Sequence, residues 1–424
     1  MSEPTVPATE RHDVLVIGGG PAGSSTAYWL AEAGHDVVFI DKKTFPREKA
    51  CGDGLTPRAV NQLDLMGLSD RLSDYHRFEG LRARAHGITL EMRWPEHPVF
   101  GSVGYVVRRR ELDTMVAEHA QKSGAQMLQG TEAIKPLLED GILTGAVLEN
   151  KETGSRHELR ARFVVIADGA NSRFGRMLGT ARRRSYPQGM AIRGYFASDR
   201  HDDPWIESCL DVRDRNGNSL PGYGWIFPTG DGEINVGIGL LSTFRDFKTV
   251  NTTHILNEYA ATAPACWGIS PDTATSAPVG GRLPMGGSVE PKVGPNWIVV
   301  GDAAGSINPF NGEGIDYAYE TGHMEANLLD EVLATGDGLV LHRYPDLLER
   351  EYGLYFKVAR LFAKVIGRPA LMRELTRVGM QSRPLMERVL AIMANLLRDD
   401  EMGPAEAAYR AAAALARLVP EPIS

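Results

Sequence analysis

The sequence predicts an α/β fold: a Rossmann-type nucleotide-binding domain, interrupted by an inserted antiparallel sheet and followed by a helical C-terminal region. Three observations predict it. A short apolar run, Asp13 to Ile17, leads directly into the turn Gly18-Gly19-Gly20-Pro21-Ala22-Gly23. A second glycine-rich loop, Gly301 to Gly314, follows the apolar run Trp297 to Val300 far along the chain. Between them, Tyr186 to Pro284 shows period-two alternation with many turn residues, the pattern of half-buried strands.

In chain order, residues 1–11 are polar, carry Glu3 and Glu10 and lack a basic stretch, so they read as a disordered tail rather than a secretory signal. The run ending at Ile17 and the run Val37-Val38-Phe39-Ile40 flank a helix-spaced segment, Ser24 to Gly34, which together make a βαβ unit. Helices are expected from about Pro57 to Met66 and from Arg110 to Ser123. Val164 to Ala167 is a further buried strand, closed by Asp168-Gly169, and the chain from about Asp316 is mostly helical. The nucleotide-binding domain is thus discontinuous, over 12–80, 101–180 and 285–345. The sheet domain takes 81–100 and 181–284, and the helical region takes 346–424.

Bulk properties exclude several classes. The 424 residues, 43% hydrophobic and 24% charged, suit a globular protein of two or three domains. A net charge of -8 argues against nucleic acid as a partner. Three cysteines, Cys51, Cys209 and Cys266, cannot build a disulfide framework and point to a reducing cytoplasm. No apolar run is long enough to span a bilayer, no His/Cys/Asp cluster has metal-ligand spacing, and the serine-hydrolase Gly-x-Ser-x-Gly is absent. Against this acidic background, Arg350 to Arg398 carries a local excess of basic residues.

The N-terminal turn fits G-x-G-x-x-G at Gly18, Gly20 and Gly23, with Pro21 and Ala22 opening the helix. The first glycine permits the turn, the second lets backbone approach a pyrophosphate, and the third lets helix pack on strand. The helix N-terminus offers amides and partial positive charge to phosphates. Asp41, at the end of the second strand, can accept from both ribose hydroxyls of an adenosine. The later loop fits the other end of one long ligand: Gly301-Asp302 beside a ribityl chain, and Gly312 with Gly314 letting a helix N-terminus approach a ring. Two such sites describe FAD. No second G-x-G-x-x-G follows a strand, so the electron donor is unidentified and is expected to bind transiently or to be another redox protein.

With these residues in view, the chain resembles the geranylgeranyl-reductase family of FAD-dependent oxidoreductases, which has the aromatic hydroxylase-like fold. The resemblance rests on the N-terminal turn, Lys49-Ala50-Cys51-Gly52-Asp53-Gly54, Arg109 with Leu112-Asp113, Ala167-Asp168-Gly169-Ala170 and the Gly301 loop. A further segment, Tyr223-Gly224-Trp225-Ile226-Phe227-Pro228 followed by Gly237-Ile238-Gly239, is similar to the family's prenyl-substrate signature. Phe45-Pro46-Arg47, Cys51 to Val60 and Asn311 to Tyr317 are most like the actinobacterial menaquinone-reducing branch. The resemblance implies reduction of an isoprene double bond in a prenyl quinone tail by hydride from reduced flavin plus a proton. It also implies cofactor contacts from Asp41, Lys42, Arg47, Cys51 to Gly54, Arg109, Asp168, Gly301, Asp302, Pro309, Gly312, Glu313, Gly314 and Ile315.

Tyr223, Trp225 and Phe227 alternate, so they share one face of a strand. On an anonymous strand they would be a core stripe; the family spacing makes them the substrate face, where aromatic rings can stabilise a developing cation. Cys51 is either the proton donor, a thiol kept protonated by an apolar site, or a packed small hydrophobe. Arg109 either contacts the pyrophosphate or forms a surface salt bridge. In the basic C-terminal segment, Leu361-Phe362, Val365-Ile366 and Leu371-Met372 interleave with Lys364, Arg368 and Arg373, a pattern expected to touch the inner face of the cell membrane. The alternatives are reduction of other prenyl lipids, an NAD(P)H-dependent aromatic monooxygenase, a flavin-dependent halogenase and a catalytically silent FAD-binding membrane scaffold.

Overall fold

The computed structural model describes residues 11–214, 216–242, 251–398 and 402–420. The tail expected over residues 1–11 lies outside the described residues, apart from Arg11, which opens the first strand.

The centre of the first sheet is parallel. Arg11–Ile17 lies between Val37–Ile40 and Arg156–Ile166, and Trp297–Val299 also pairs with Arg156–Ile166. Val14, Leu15, Val16, Val38, Phe39, Val164, Val165 and Val299 are fully buried, as strands covered on both faces must be. An antiparallel pair, Thr131–Glu139 and Ile142–Asn150, extends the sheet beyond Arg156–Ile166. The register decides where ligands go: Ile17, Ile40, Ile166 and Val299 end in one row. The loops that start at Gly18, Asp41, Ala167 and Gly301 therefore share one edge, the carboxyl edge where open α/β sheets bind ligands. Helices Pro21–Glu32 and Ile315–Thr335 pack on each other over this sheet.

The second sheet runs in the order Val279–Pro284, Gln188–Ala197, Glu233–Leu241, Gly222–Pro228, Trp205–Cys209, Gly80–Ala85, Ile88–Arg93. One pair departs from the antiparallel expectation: Trp205–Cys209 runs parallel to Gly80–Ala85. The chain leaves this sheet after Arg93 and contributes to the first before returning at Gln188, and such a long crossover is what a parallel pair requires. One face of the sheet packs Ile226, Ile234, Val236 and Ile238 against Tyr259 and Trp267. Its other face turns toward the first domain.

Helices Leu354–Ile366, Pro369–Gly379, Arg383–Met393 and Pro404–Leu418 close the structure. They hold the glycine-rich loop from outside: Asn308 and Asn311 both donate through Nδ2 to the Met393 carbonyl, and Arg360 donates to that of Gly286. Among the described residues, no helix is long and apolar enough to cross a membrane.

Candidate active site

The N-terminal turn is built by contact. An added Cβ at Gly18 would sit 2.2 Å from the Ala167 carbonyl oxygen, and one at Gly23 only 1.8 Å from that of Gly18. Neither position tolerates a side chain, because strand, turn and helix touch there. Gly20 differs: the nearest atom to its ideal Cβ is an Arg47 guanidinium nitrogen at 3.7 Å. Gly20 also caps the helix with no side-chain hydrogen bond, and Pro21 follows it. The turn is thus closed where the chain packs and open where a phosphate would approach.

Asp41 is buried at the end of its strand and accepts from the amides of Gly19 and Lys43 at 3.3 and 2.9 Å. Arg47 ties it to Asp113, with contacts of 3.1 Å to Asp41 and 3.0 Å to Asp113. Lys42, expected at the cofactor, has an exposed side chain. Arg109 makes a two-pronged pair with Asp113, Nε to Oδ1 at 2.8 Å and Nη2 to Oδ2 at 2.9 Å. The ion pair considered as a surface feature is in fact buried, since helix Arg109–Lys122 turns this face inward. Asp168 accepts from the Phe174 amide at 3.0 Å, and its second oxygen has no partner.

The Gly301 loop lies across the same edge. Burial pushes the Asp302 carboxyl up, and the charges of Lys49 and Arg109 oppose the shift. Pro309 and Ile315 pack inward, while Gly314 caps helix Ile315–Thr335 with no side-chain bond, leaving its first amides available.

The sheet domain closes the chamber. Tyr223, Trp225 and Phe227 share one face of Gly222–Pro228, and successive rings lie 6.0 and 6.3 Å apart. Gly237 on the next strand makes room for Trp225, since an added Cβ would meet the indole at 2.1 Å. This face covers the Cys51 loop: Cβ atoms at Gly52 and Gly54 would lie 2.9 and 3.1 Å from the Phe227 ring. The Tyr223 hydroxyl donates to the Asn311 carbonyl at 2.6 Å. Leu283 and Met285 stand beside Gly312, adding apolar wall. Residues expected separately as substrate face, cysteine loop and flavin loop therefore meet in one place.

Cys51 is partly buried, and desolvation pushes its thiol up, with the Arg109 guanidinium opposing. It stays a thiol, able to give a proton and poor as a nucleophile. Asp53, expected at the cofactor, is fully buried, and its carboxylate is committed within the protein. It accepts from Tyr195 Oη at 2.5 Å, Asn235 Nδ2 at 2.8 Å and the Arg109 amide at 3.1 Å. Its left-handed backbone, φ 65°, turns the loop toward the aromatic face. Asn235 and Tyr195 are the functional neighbours that the sequence reading missed. Asn235 had a visible signal, a lone amide within the apolar run Ile234 to Leu241.

The open Gly20 turn, the unpaired Asp168 oxygen and the uncapped helix at Gly314 fit FAD, and the chain is an FAD-dependent oxidoreductase. A sequence model of the FAD binding domain matches residues 11–201. The chain belongs to the geranylgeranyl reductase family of FAD-dependent oxidoreductases, and within it is similar to menaquinone reductases. It is 41% identical to the menaquinone reductase of Mycobacterium tuberculosis, over 96% of this chain and 97% of the relative. It is 31% identical to the digeranylgeranylglycerophospholipid reductase of Methanosarcina acetivorans over 80% of each. A geranylgeranyl bacteriochlorophyll reductase-like protein of Thermoplasma acidophilum has the same fold, with TM-score 0.77 at 23% identity, covering 95% of this chain and 99% of that one.

Proposed function

We propose that this chain saturates an isoprene double bond in a polyprenyl tail, that of menaquinone, using two electrons from FAD. The observation that carries the reading is the aromatic face Tyr223, Trp225 and Phe227, closed over the Cys51 loop and bonded to the flavin loop through Asn311. The names of the similar reductases supply the substrate class. FAD, when bound and reduced, would supply a hydride at this chamber. An isolated alkene is not polarised, so the protein must stabilise positive charge as it develops and supply a proton. The three ring faces do the first. The Cys51 thiol, kept protonated by burial, is placed for the second. Trp225 is held rigidly, because its indole N–H donates to Asn235 Oδ1 at 2.9 Å.

Mass spectrometry of quinones from cells with and without the gene tests the substrate: menaquinone alone should gain two hydrogens when the gene is present. A shift confined to other prenyl lipids would transfer the activity to those. Replacement Cys51→Ala or Trp225→Leu should lower alkene saturation by roughly a hundredfold with FAD absorbance retained. Turnover within twofold of the parent would return these residues to a structural role. Oxygen consumption coupled to a phenol would favour the monooxygenase alternative.

A long-tailed quinone resides in a bilayer, so the enzyme is proposed to dock on the inner face of the cell membrane. The stripe expected to do this is largely turned inward. Ile366 is buried, and Leu361, Phe362 and Met372 pack against the core. Val365 of the stripe is exposed, and on helix Pro369–Gly379 Leu371, Leu375 and Val378 are exposed and spaced to share one face. Arg373 and Arg377 are exposed on the same helix. The arginines fall on the side of the helix away from the ridge, the amphipathic arrangement of a helix that lays its apolar face on a lipid surface.

A further inference from the structure

Three acidic residues follow the flavin loop at helical spacing. Asp316 and Glu320 are four residues apart on one side of helix Ile315–Thr335, and Glu313 stands just before its cap, Gly314. The far member is satisfied. Glu320 pairs with Arg58, Nε to Oε1 at 2.7 Å and Nη2 to Oε2 at 3.0 Å, and accepts from Tyr352 Oη at 2.5 Å. Arg58 gives its remaining bond to the Asn395 carbonyl. Asp316 is 0% exposed, and neither of its carboxyl oxygens has a partner. Glu313 accepts from Asn311 Nδ2 at 2.8 Å, and its Oε1 is without a partner.

Among the described residues, the groups facing this cluster bring one cation, Arg58. Helix Pro57–Leu65 and its lead-in bring Thr56 and Arg58, the helix itself brings Tyr317, and the C-terminal segments bring Tyr352 and Tyr355. Three ionised carboxylates against one guanidinium would leave two uncompensated charges in a largely buried cluster, at several kcal/mol each. Burial first, then the Glu313 and Glu320 carboxylates, push Asp316 far above the usual carboxylate range; burial also pushes Glu313 up. One retained proton on the pair removes one of the two uncompensated charges.

Glu313 also flanks the chamber. Its neighbour Gly312 faces the Tyr223 hydroxyl, and Gly314 faces Asp302 Oδ1, with ideal Cβ distances of 3.9 and 3.5 Å. We propose that Glu313 and Asp316 share one proton at neutral pH and release it to the chamber when a prenyl double bond is reduced. This rests on the prenyl-reductase reading. The alkene π bond breaks. One new C–H bond takes the hydride that reduced FAD supplies, and the other takes the proton of the Cys51 thiol, which the carboxyl pair replaces in the same step past Tyr223, the ring that feels both Glu313 and Cys51. The alkene is reduced, FAD is oxidised, and the carboxyl pair is left one proton short until solvent refills it.

Infrared spectra of the FAD-bound protein labelled with carboxyl-13C aspartate test the first half. A protonated carboxyl at pH 7 should shift with the label and vanish in Asp316→Asn. Single-turnover saturation of a long-chain prenyl quinone, from pH 6 to 9, tests the second half. Asp316→Asn and Glu313→Gln should each slow it by roughly tenfold and flatten its pH dependence, with FAD retained. An ionised Asp316 at pH 7 in the parent protein, which needs no variant to observe, overturns the proposal. So does an unchanged pH profile in a folded variant. If the carboxyl is ionised yet the tail is saturated, this inference fails and the function stands. If the carboxyl is protonated but no prenyl chain is saturated, the function fails and takes the transfer step with it.

Discussion

At Asn235 a single side chain holds three parts of the site in register. Its Oδ1 accepts from the Trp225 indole, and its Nδ2 donates to the Cys51 carbonyl and to Asp53. The aromatic face and the cysteine loop are therefore positioned by the same amide. Asn235→Leu keeps the volume and strands the Trp225 indole N–H and the Cys51 carbonyl, at about 1–3 kcal/mol for each unsatisfied group, while Asp53 keeps its bond from Tyr195. Denaturant unfolding should show a loss of roughly 3 kcal/mol, and the Cys51 loop should become open to thiol reagents. A loss under about 0.5 kcal/mol would mean the amide is only a surface-like contact. At Asp53 the same logic explains a residue that sequence reasoning placed at the cofactor. A carboxylate this enclosed, with three donors on it, links the two domains.

At the scale of the element, helix Ile315–Thr335 carries buried acid beyond the cluster near its start. Glu325 is 0% exposed, accepts from Thr26 Oγ1 at 3.1 Å on helix Pro21–Glu32, and has one oxygen without a partner. Burial pushes its carboxyl up to about 8. The sign follows by linkage. Between its ordinary value and pH 8 the folded chain holds a proton that the unfolded chain has released, so stability falls as pH rises across that window. Below the ordinary carboxylate range the group imposes no penalty. Glu325→Gln removes the titration, so the variant's melting temperature should gain on the parent's steadily from pH 5 to 8. The limit is on the order of 4 kcal/mol. A difference that stays constant across this range would mean Glu325 is ionised throughout.

For the whole molecule, the C-terminal helices join the chamber to the proposed membrane surface. The segment that offers Leu371, Leu375 and Val378 to solvent continues into Arg383–Met393, whose Met393 carbonyl receives Asn308 and Asn311 from the flavin loop. Leu375→Glu with Val378→Glu should reduce co-sedimentation with anionic liposomes at low salt by at least fivefold. It should leave the unfolding midpoint within about 0.5 kcal/mol of the parent, because both side chains are exposed. Retained binding would move the docking surface elsewhere on the chain.

Several features were legible in the sequence alone because they are local. The spacing of Gly18, Gly20 and Gly23 records where backbone must touch backbone or phosphate. The alternation of Tyr223, Trp225 and Phe227 records which side of a strand they share. The two glycine-rich loops implied one ligand long enough to meet both. What those faces meet was decided by tertiary structure. The Cys51 loop lies against Phe227 and Trp225 through contacts across more than half of the first domain and the inserted sheet, which no local periodicity encodes. The inward turn of Ile366 and Phe362, the parallel pairing of Trp205–Cys209 and the committed carboxylate of Asp53 are of the same kind. An amphipathic pattern names an apolar face but not its partner. An acid's spacing likewise gives its side of a helix, but only packing shows that Asp316 is buried there with neither oxygen hydrogen-bonded.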